Sequence, residues 1–300
     1  MKPKILCIVG PTASGKSSLA LAIASDLSGE IVSCDSMQIY RGMDIGTAKP
    51  SAEEISCVPH HLIDICSVTE NFTLADYIVK AKEVIGDILS RGKLPILCGG
   101  TGLYLDTLLR GGELAPDISD VDISDLEEKS NDEIYEILCN IDHETANKTQ
   151  LNNRRRIIRA IKIFRGTGIA KSEWDRRSKE VESPYNATIV GLNYVNREKL
   201  YERINLRVDK MVEEGLVNEV KKLNLSKDST AGQAIGYKEI IDAINGVCTI
   251  DDAIQKIKQS SRNYAKRQLT WFKRNPNVKW FYRDELSDEE IINQIKNEFI

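Results

Sequence analysis

The stretch GPTASGKS, Gly10 to Ser17, carries the clearest chemistry in the sequence. It fits the pattern G-x-x-x-x-G-K-[ST] and stands between an apolar run, KILCIV at 4–9, and the helically spaced run SSLALAIASDL. In that context the glycines let backbone N–H groups converge on phosphate oxygens, and the amino end of the helix adds partial positive charge. Lys16 supplies a mobile full charge, and Ser17 a hydroxyl suited to magnesium. Gly10, Pro11, Thr12, Ala13, Ser14, Gly15, Lys16 and Ser17 are therefore the candidate phosphate-binding residues. The loop does not say whose phosphates it holds. A second candidate is Asp35, which follows the apolar pair Ile31-Val32. It suits either a magnesium ligand or a general base facing the phosphates, and spacing leaves both open. A third is Thr101, in GGTG at 99–102 after the apolar run LPILC.

These residues need elements to position them. The runs at 4–9, at Ile31-Val32 and at LPILC read as strands, each followed by a turn. Between them, residues 72–91 read as a helix, with Leu74, Ile78, Ala81, Ile85 and Ile88 recurring at three- and four-residue steps. Strands alternating with helices predict a parallel sheet covered on both faces, with ligands at the carboxyl ends of its strands. The Gly10 loop, Asp35 and Thr101 all fall at that edge. The alternation stops at about 112. From there to 184 the pattern is helical and strongly charged, with one apolar stripe at Ile134, Ile137, Leu138 and Ile141 and another at Ile157, Ile158, Ile161 and Phe164. A strand resumes at 187–192, and amphipathic helices follow at 197–214, 216–223 and 251–274. The expected fold class is thus α/β, with a P-loop NTPase-like core (1–111 and 185–300) whose parallel sheet is flanked by helices, interrupted by an all-helical insertion (112–184).

Three hundred residues suit about two domains. The apolar share of 41% and charged share of 29% argue against a disordered or fibrous chain. No stretch approaches the ~20 apolar residues of a membrane span, and the five-residue run before Gly10 is too short for a signal peptide. Seven cysteines without a CxxC pair and only three histidines argue against a zinc site or a disulfide framework, and point to a reduced, cytoplasmic protein. The net charge of −4 conceals a segregation. Residues 113–144 hold twelve acids and one base, 148–179 eleven bases and two acids, and 256–274 seven bases and no acid. Such blocks are either solvated helix faces or polyanion contacts, and charge alone does not choose.

Several longer stretches occur in one order: the Gly10 loop, SCDSMQIYRGMDIGTAKP at 33–50, VPHHLIDI at 58–65, GGTGLYLDTLL at 99–109 and RNYAKRQLTWFKR at 262–274. Together they closely resemble the bacterial tRNA dimethylallyltransferases (tRNA isopentenyltransferases), from Met1 to about Arg274. The resemblance implies transfer of a dimethylallyl group from its diphosphate to the exocyclic amine of the adenosine on the 3′ side of the anticodon. That adenosine is position 37 in tRNAs reading codons that begin with U, and magnesium is the implied cofactor. By the same resemblance the loop holds the donor diphosphate, while Asp35 with Ser36, Met37 and Gln38 meets the adenosine. Thr101 and Ser17 order the magnesium end, and an arginine of YERINLRVDKM, Arg207 in preference to Arg203, adds a diphosphate contact. Lys16, Asp35, Thr101 and Arg207 are then the catalytic set. The insertion becomes the tRNA-binding domain: Arg155, Arg156, Ile157, Ile158 and Arg159 meet the anticodon stem-loop, and Gln233, Ala234, Ile235, Gly236, Tyr237 and Lys238 form a further RNA-facing part. A monomer with no obligate protein partner is expected.

Departures from the family pattern are few. Ser17 stands where threonine is commoner, Asn153 where aspartate is frequent and Lys162 where glutamate is frequent. The zinc extension of eukaryotic members is absent. His60 and His61 read as hydrogen-bonded structural residues. Read from the residues alone, a P-loop nucleotide kinase, an AMP prenyltransferase and a noncatalytic RNA-binding switch remain rivals.

Overall fold

Four of the six strands come from the apolar runs read above. The computed structural model describes residues 2–111, 118 and 120–299. Met1, Ile300 and the start of the expected insertion at 112–117 and 119 lie outside the described residues. The strands are β1 (Lys4–Val9), β2 (Gly29–Ser33), β3 (His60–His61), β4 (Leu94–Cys98), β5 (Asn186–Asn193) and β6 (Val278–Tyr282). They form one sheet in the order β3-β2-β4-β1-β5-β6, and every neighbouring pair is parallel. The inner strands are buried along nearly their whole length, as a parallel sheet covered on both faces requires. Leu6, Ile8, Ile96, Val190 and Leu192 pack on Leu19 and Ile23 of the helix Lys16–Asp26, and on Ile291 and Ile295 of the helix Asp288–Phe299.

The sequence reading did not anticipate β3, β6 or the helices Tyr237–Ile244 and Asp288–Phe299. Two residues, His60 and His61, are too short to show a period. In VKWFY, alternation is broken by Trp280, which is only half-buried beside the exposed Lys279. The expected helix at 72–91 is Leu74–Ser90, opened by Thr73 and Asp76 in a reciprocal capping box. Buried Glu30 on β2 accepts from Arg91, from Lys93 at 2.7 Å and meets His61 at 2.8 Å. The Arg91 guanidinium in particular holds its carboxyl well below the usual carboxylate range. His61 is thereby a structural partner.

The chain divides into two compact units, Met1–Leu108 with Tyr185–Ile300, and Leu109–Pro184. The second is helical among its described residues, with helices Ser124–Glu127, Asn131–Ile141, His143–Asn147, Arg154–Thr167 and Lys171–Glu180. Its own core is Leu126, Ile134, Leu138, Ala146, Ile157, Ala160 and Ile161. Asn153 caps Arg154–Thr167 by accepting from the Arg156 amide, and Gly168 ends it with φ of 70°. Arg154 spends its charge inside the unit, donating to the Lys129 carbonyl at 2.7 Å and the Leu126 carbonyl at 2.5 Å.

Candidate active site

The carboxyl ends of β1, β2 and β4 carry the Gly10–Ser17 loop, Asp35 and Thr101, in the places expected for a ligand site on a parallel sheet. Gly15, with φ of 84°, turns the loop into the helix Lys16–Asp26. No side chain caps that helix and its first turn holds no acid, so its amino end is electrostatically open to an anion. The Ser14 hydroxyl is fully buried and has no hydrogen-bond partner among the described residues.

A cavity of about 670 Å³, including its open mouth, lies beside the loop. Thr12, Lys16, Ser17, Asp35, Gln38 and Arg207 all line it. Lys16 folds back so that Nζ donates to the Pro11 carbonyl at 2.7 Å. Burial depresses its pKa to about 8; Arg207 pushes the same way and Asp35 opposes. Arg207 is likewise depressed by burial and supported by Asp35. The site therefore concentrates two desolvated cations and one carboxylate, an arrangement suited to a polyanionic ligand beside a proton acceptor.

Asp35 is held by its own turn, Oδ1 accepting from the Met37 amide at 2.8 Å. Thr101 supports that turn from the next loop: its amide donates to the Cys34 carbonyl at 3.1 Å and its Oγ1 accepts from the Ser36 amide at 3.2 Å. Gln38 is committed on both sides of its carboxamide, Oε1 to the Ser33 hydroxyl at 2.9 Å and Nε2 to the Ala48 carbonyl at 3.2 Å. The loop bearing Ala48 is itself clasped by Glu219, whose carboxylate accepts from the amides of Asp44, Ile45 and Gly46 at 2.9, 2.7 and 3.1 Å.

The structure separates the two arginines of the helix Arg197–Glu213. Arg207 lines the cavity and donates to the Thr47 carbonyl at 3.4 Å. Arg203 is exposed and donates to the Ala13 carbonyl at 3.1 Å, bracing the phosphate loop from outside. Of the aromatic residues in the 262–274 run, Phe272 is core, Trp271 is half-buried and donates to Asp106 at 3.0 Å, and Tyr264 lines the cavity. Burial, and then Asp35, pushes the Tyr264 phenol up, so it stays protonated.

Two expected RNA-facing stretches need correction residue by residue. Arg155, Arg156 and Arg159 are exposed on the insertion, but Ile157 is fully buried in that unit's core and Ile158 packs partly against it. A stripe that closes a helical core cannot also present its side chains outward. In 233–238, Ala234, Gly236 and Tyr237 are buried. The Tyr237 hydroxyl donates to Glu219 at 2.6 Å, because Gly46 leaves room for its ring. Gln233 is exposed, with Nε2 donating to the Lys227 carbonyl at 2.6 Å, while Ile235 and Lys238 are half-buried. Sequence reasoning singled out neither Glu219 nor Gln268, the latter lying within the Tyr264–Arg274 stretch that resembles an RNA-facing part of the family. A lone acid on an amphipathic helix carries no signal that three amides from a distant loop will converge on it.

A glycine-bearing loop at the carboxyl edge of a parallel sheet, leading into a helix with an open amino end, defines a P-loop-like α/β protein; a carboxylate on the turn after β2, one strand beyond β4, adds the means to accept a proton. Comparison with known proteins narrows this class. A family model described as IPP transferase matches residues 38–275. The tRNA dimethylallyltransferase of Halalkalibacterium halodurans is 46% identical over 304 residues, covering 99% of this chain and 96% of that one. Its counterpart in Geobacter sulfurreducens is 46% identical over 286 residues, covering 93% and 92%. Among solved structures, the full-length tRNA isopentenylpyrophosphate transferase from Bacillus halodurans matches with a TM-score of 0.76 at 43% identity, over 99% of this chain and 96% of that one. A eukaryotic dimethylallyltransferase acting on tRNA matches with a TM-score of 0.88 at 28% identity, over 99% and 79%. The chain belongs to the IPP transferase family.

Proposed function

We propose that this protein transfers a dimethylallyl group from dimethylallyl diphosphate to the exocyclic amine of adenosine 37 in tRNAs reading codons that begin with U. The products are isopentenyladenosine and diphosphate. The observation that carries this reading is that Lys16, Arg207 and Asp35 line one and the same cavity, which serves a leaving polyanion and a proton acceptor together.

The adenine amine is a poor nucleophile because its lone pair is delocalised into the ring. Asp35 accepts the amine's proton as nitrogen bonds to the allylic carbon, a contribution of about 10²–10⁴-fold for general-base catalysis. The carbon–oxygen bond breaks with its electron pair going to the diphosphate. Lys16, Arg207 and the loop amides stabilise the charge that develops there. The apolar cavity wall, including Ile31 and Ile63, shields the cation-like carbon from water. The residues present fit magnesium: the Ser17 hydroxyl lies on the cavity wall, and magnesium favours a few protein oxygens shared with substrate phosphates and water. Ser17 would hold it at the diphosphate end, where the ion would supply further neutralisation of the leaving group, and Thr101, whose Oγ1 accepts from the Ser36 amide, would order that end from the β4 loop.

Reaching an adenine in a folded loop requires flipping it out of its stack, at a cost of a few kcal/mol. The exposed Arg155, Arg156 and Arg159 offset this by gripping the anticodon stem-loop backbone. The protein is read as a cytoplasmic monomer; no helix among the described residues is long and apolar enough to cross a membrane.

The decisive experiment mixes the protein with magnesium, ATP, dimethylallyl diphosphate and unmodified tRNA, follows the ATP, digests the RNA and weighs its nucleosides. Isopentenyladenosine is expected. An unaltered nucleoside with ATP consumed in its place would establish the kinase reading instead.

A further inference from the structure

Gln268 is nearly fully buried, yet it lies on the wall of the reaction cavity and makes no hydrogen bond to Asp35 or Lys16 among the described residues. Its carboxamide instead spans two loops. Oε1 accepts from the Thr12 amide of the phosphate loop at 2.8 Å, and Nε2 donates to the Gly100 carbonyl after β4 at 3.1 Å. Because one loop offers a donor and the other an acceptor, only one orientation of the amide satisfies both. The fit is close: a Cβ on Gly100 would lie 2.0 Å from Gln268 Nε2. The residue after Gly100 is Thr101, which holds Cys34 and Ser36 on either side of Asp35. A continuous line of bonds therefore runs from the donor cradle through Gln268 and Thr101 to the carboxylate. Gln268 sits one turn after Tyr264 and just before Trp271 on the helix Ile250–Phe272, which Trp271 pins through Asp106. The bridge thus has a rigid mount.

We propose that Gln268 is a positioning residue for the transfer reaction, setting the separation between the donor diphosphate and Asp35 by bridging the phosphate loop and the β4 loop. The inference rests on the transferase reading above. It assigns Gln268 to alignment, not to donor affinity, because the loop's remaining amides, Lys16 and Arg207 grip the phosphates without it.

The test uses the intact chain with dimethylallyl diphosphate and unmodified tRNA, and inorganic pyrophosphate as a probe of the donor site. Gln268→Met keeps the volume and removes both bonds; Gly100→Ala displaces the same carboxamide from the other side. Each is expected to lower kcat about 100-fold, the scale of a misplacement near 1 Å. Pyrophosphate affinity is expected to change by less than about threefold, as one net hydrogen bond at the loop's edge allows. The double variant is expected to be no worse than either single one, since both break the same bridge. Unchanged kcat with only a lower Tm would overturn the proposal in favour of simple packing. So would a loss of pyrophosphate affinity as large as the loss of kcat, which would make Gln268 part of the donor grip. Should Gln268→Met fail to fold, Gly100→Ala and the isosteric Gln268→Glu, which keeps an acceptor for Thr12 but loses the donor to Gly100, carry the same test. If the unaltered chain transfers nothing, the transferase reading fails and this inference falls with it; if it transfers and the variants match it, this inference fails alone.

Discussion

The core cavity and the insertion helix Arg154–Thr167 both use cations, and they hold them in opposite ways. Lys16 and Arg207 are desolvated, each tied to a backbone carbonyl and each facing Asp35. Arg155, Arg156 and Arg159 stand exposed on a helix whose other face is a closed apolar core. A buried cation is costly until an anion arrives, and so discriminates strongly between ligands; an exposed one is screened by salt and adds attraction with little selectivity. On the proposed function, the first arrangement suits a small polyanion and the second a long one.

The largest effect expected across this comparison is at the core. Asp35→Ala should lower transfer by about 10²–10⁴-fold while pyrophosphate affinity stays nearly intact, read by single-turnover transfer beside calorimetry. A loss of pyrophosphate binding instead would make Asp35 chiefly a metal ligand. Next comes a contrast within the insertion. Ile157→Ala should cost that unit about 2–5 kcal/mol of stability, seen as faster hydrogen exchange in Asn131–Ile141 and Arg154–Thr167. Pyrophosphate binding to the core should not change; unaltered protection would mean that Ile157 is not the packing residue its burial implies.

A smaller effect concerns pH. Because burial lowers the Lys16 pKa to about 8, the free site loses that positive charge as pH rises through 8, well before an ordinary lysine would. Pyrophosphate affinity should therefore fall above pH 8, by up to about tenfold per unit. Pyrophosphate itself only gains negative charge over this range, so the decline reports the lysine. Constant affinity to pH 10 would show that the ammonium keeps its proton despite burial. The smallest effect is at the exposed arginines. Replacing Arg156 and Arg159 with Ala should flatten the salt dependence of tRNA binding by about one unit for each phosphate the helix no longer neutralises. An unchanged slope would take this helix out of the RNA interface and collapse the contrast between the two sets of cations.

Much of the fold was legible in local patterns. The apolar runs became β1, β2, β4 and β5, and the amphipathic spacings became helices at Leu74–Ser90, Arg197–Glu213, Leu216–Leu223 and Ile250–Phe272. The turn from β1 into the helix Lys16–Asp26 was legible because its glycines lie within eight consecutive residues. The direction of side chains in 155–159 and 233–238 was read less well: a motif resembles its relatives as a continuous string, while a helix turns alternate members of that string inward.

Sequence alone determined which glycine-bearing loop follows the first strand, which carboxylate follows the second, and that a charged helical segment interrupts the sheet, since spacing over a few residues encodes each. Tertiary structure decided that Arg207 and not Arg203 enters the cavity, that Glu219 clasps residues 44–46, and that Gln268 reaches Thr12 from 256 positions away. Those choices depend on how distant segments pack, and no local period records which carbonyl or amide a side chain will meet once the chain has folded.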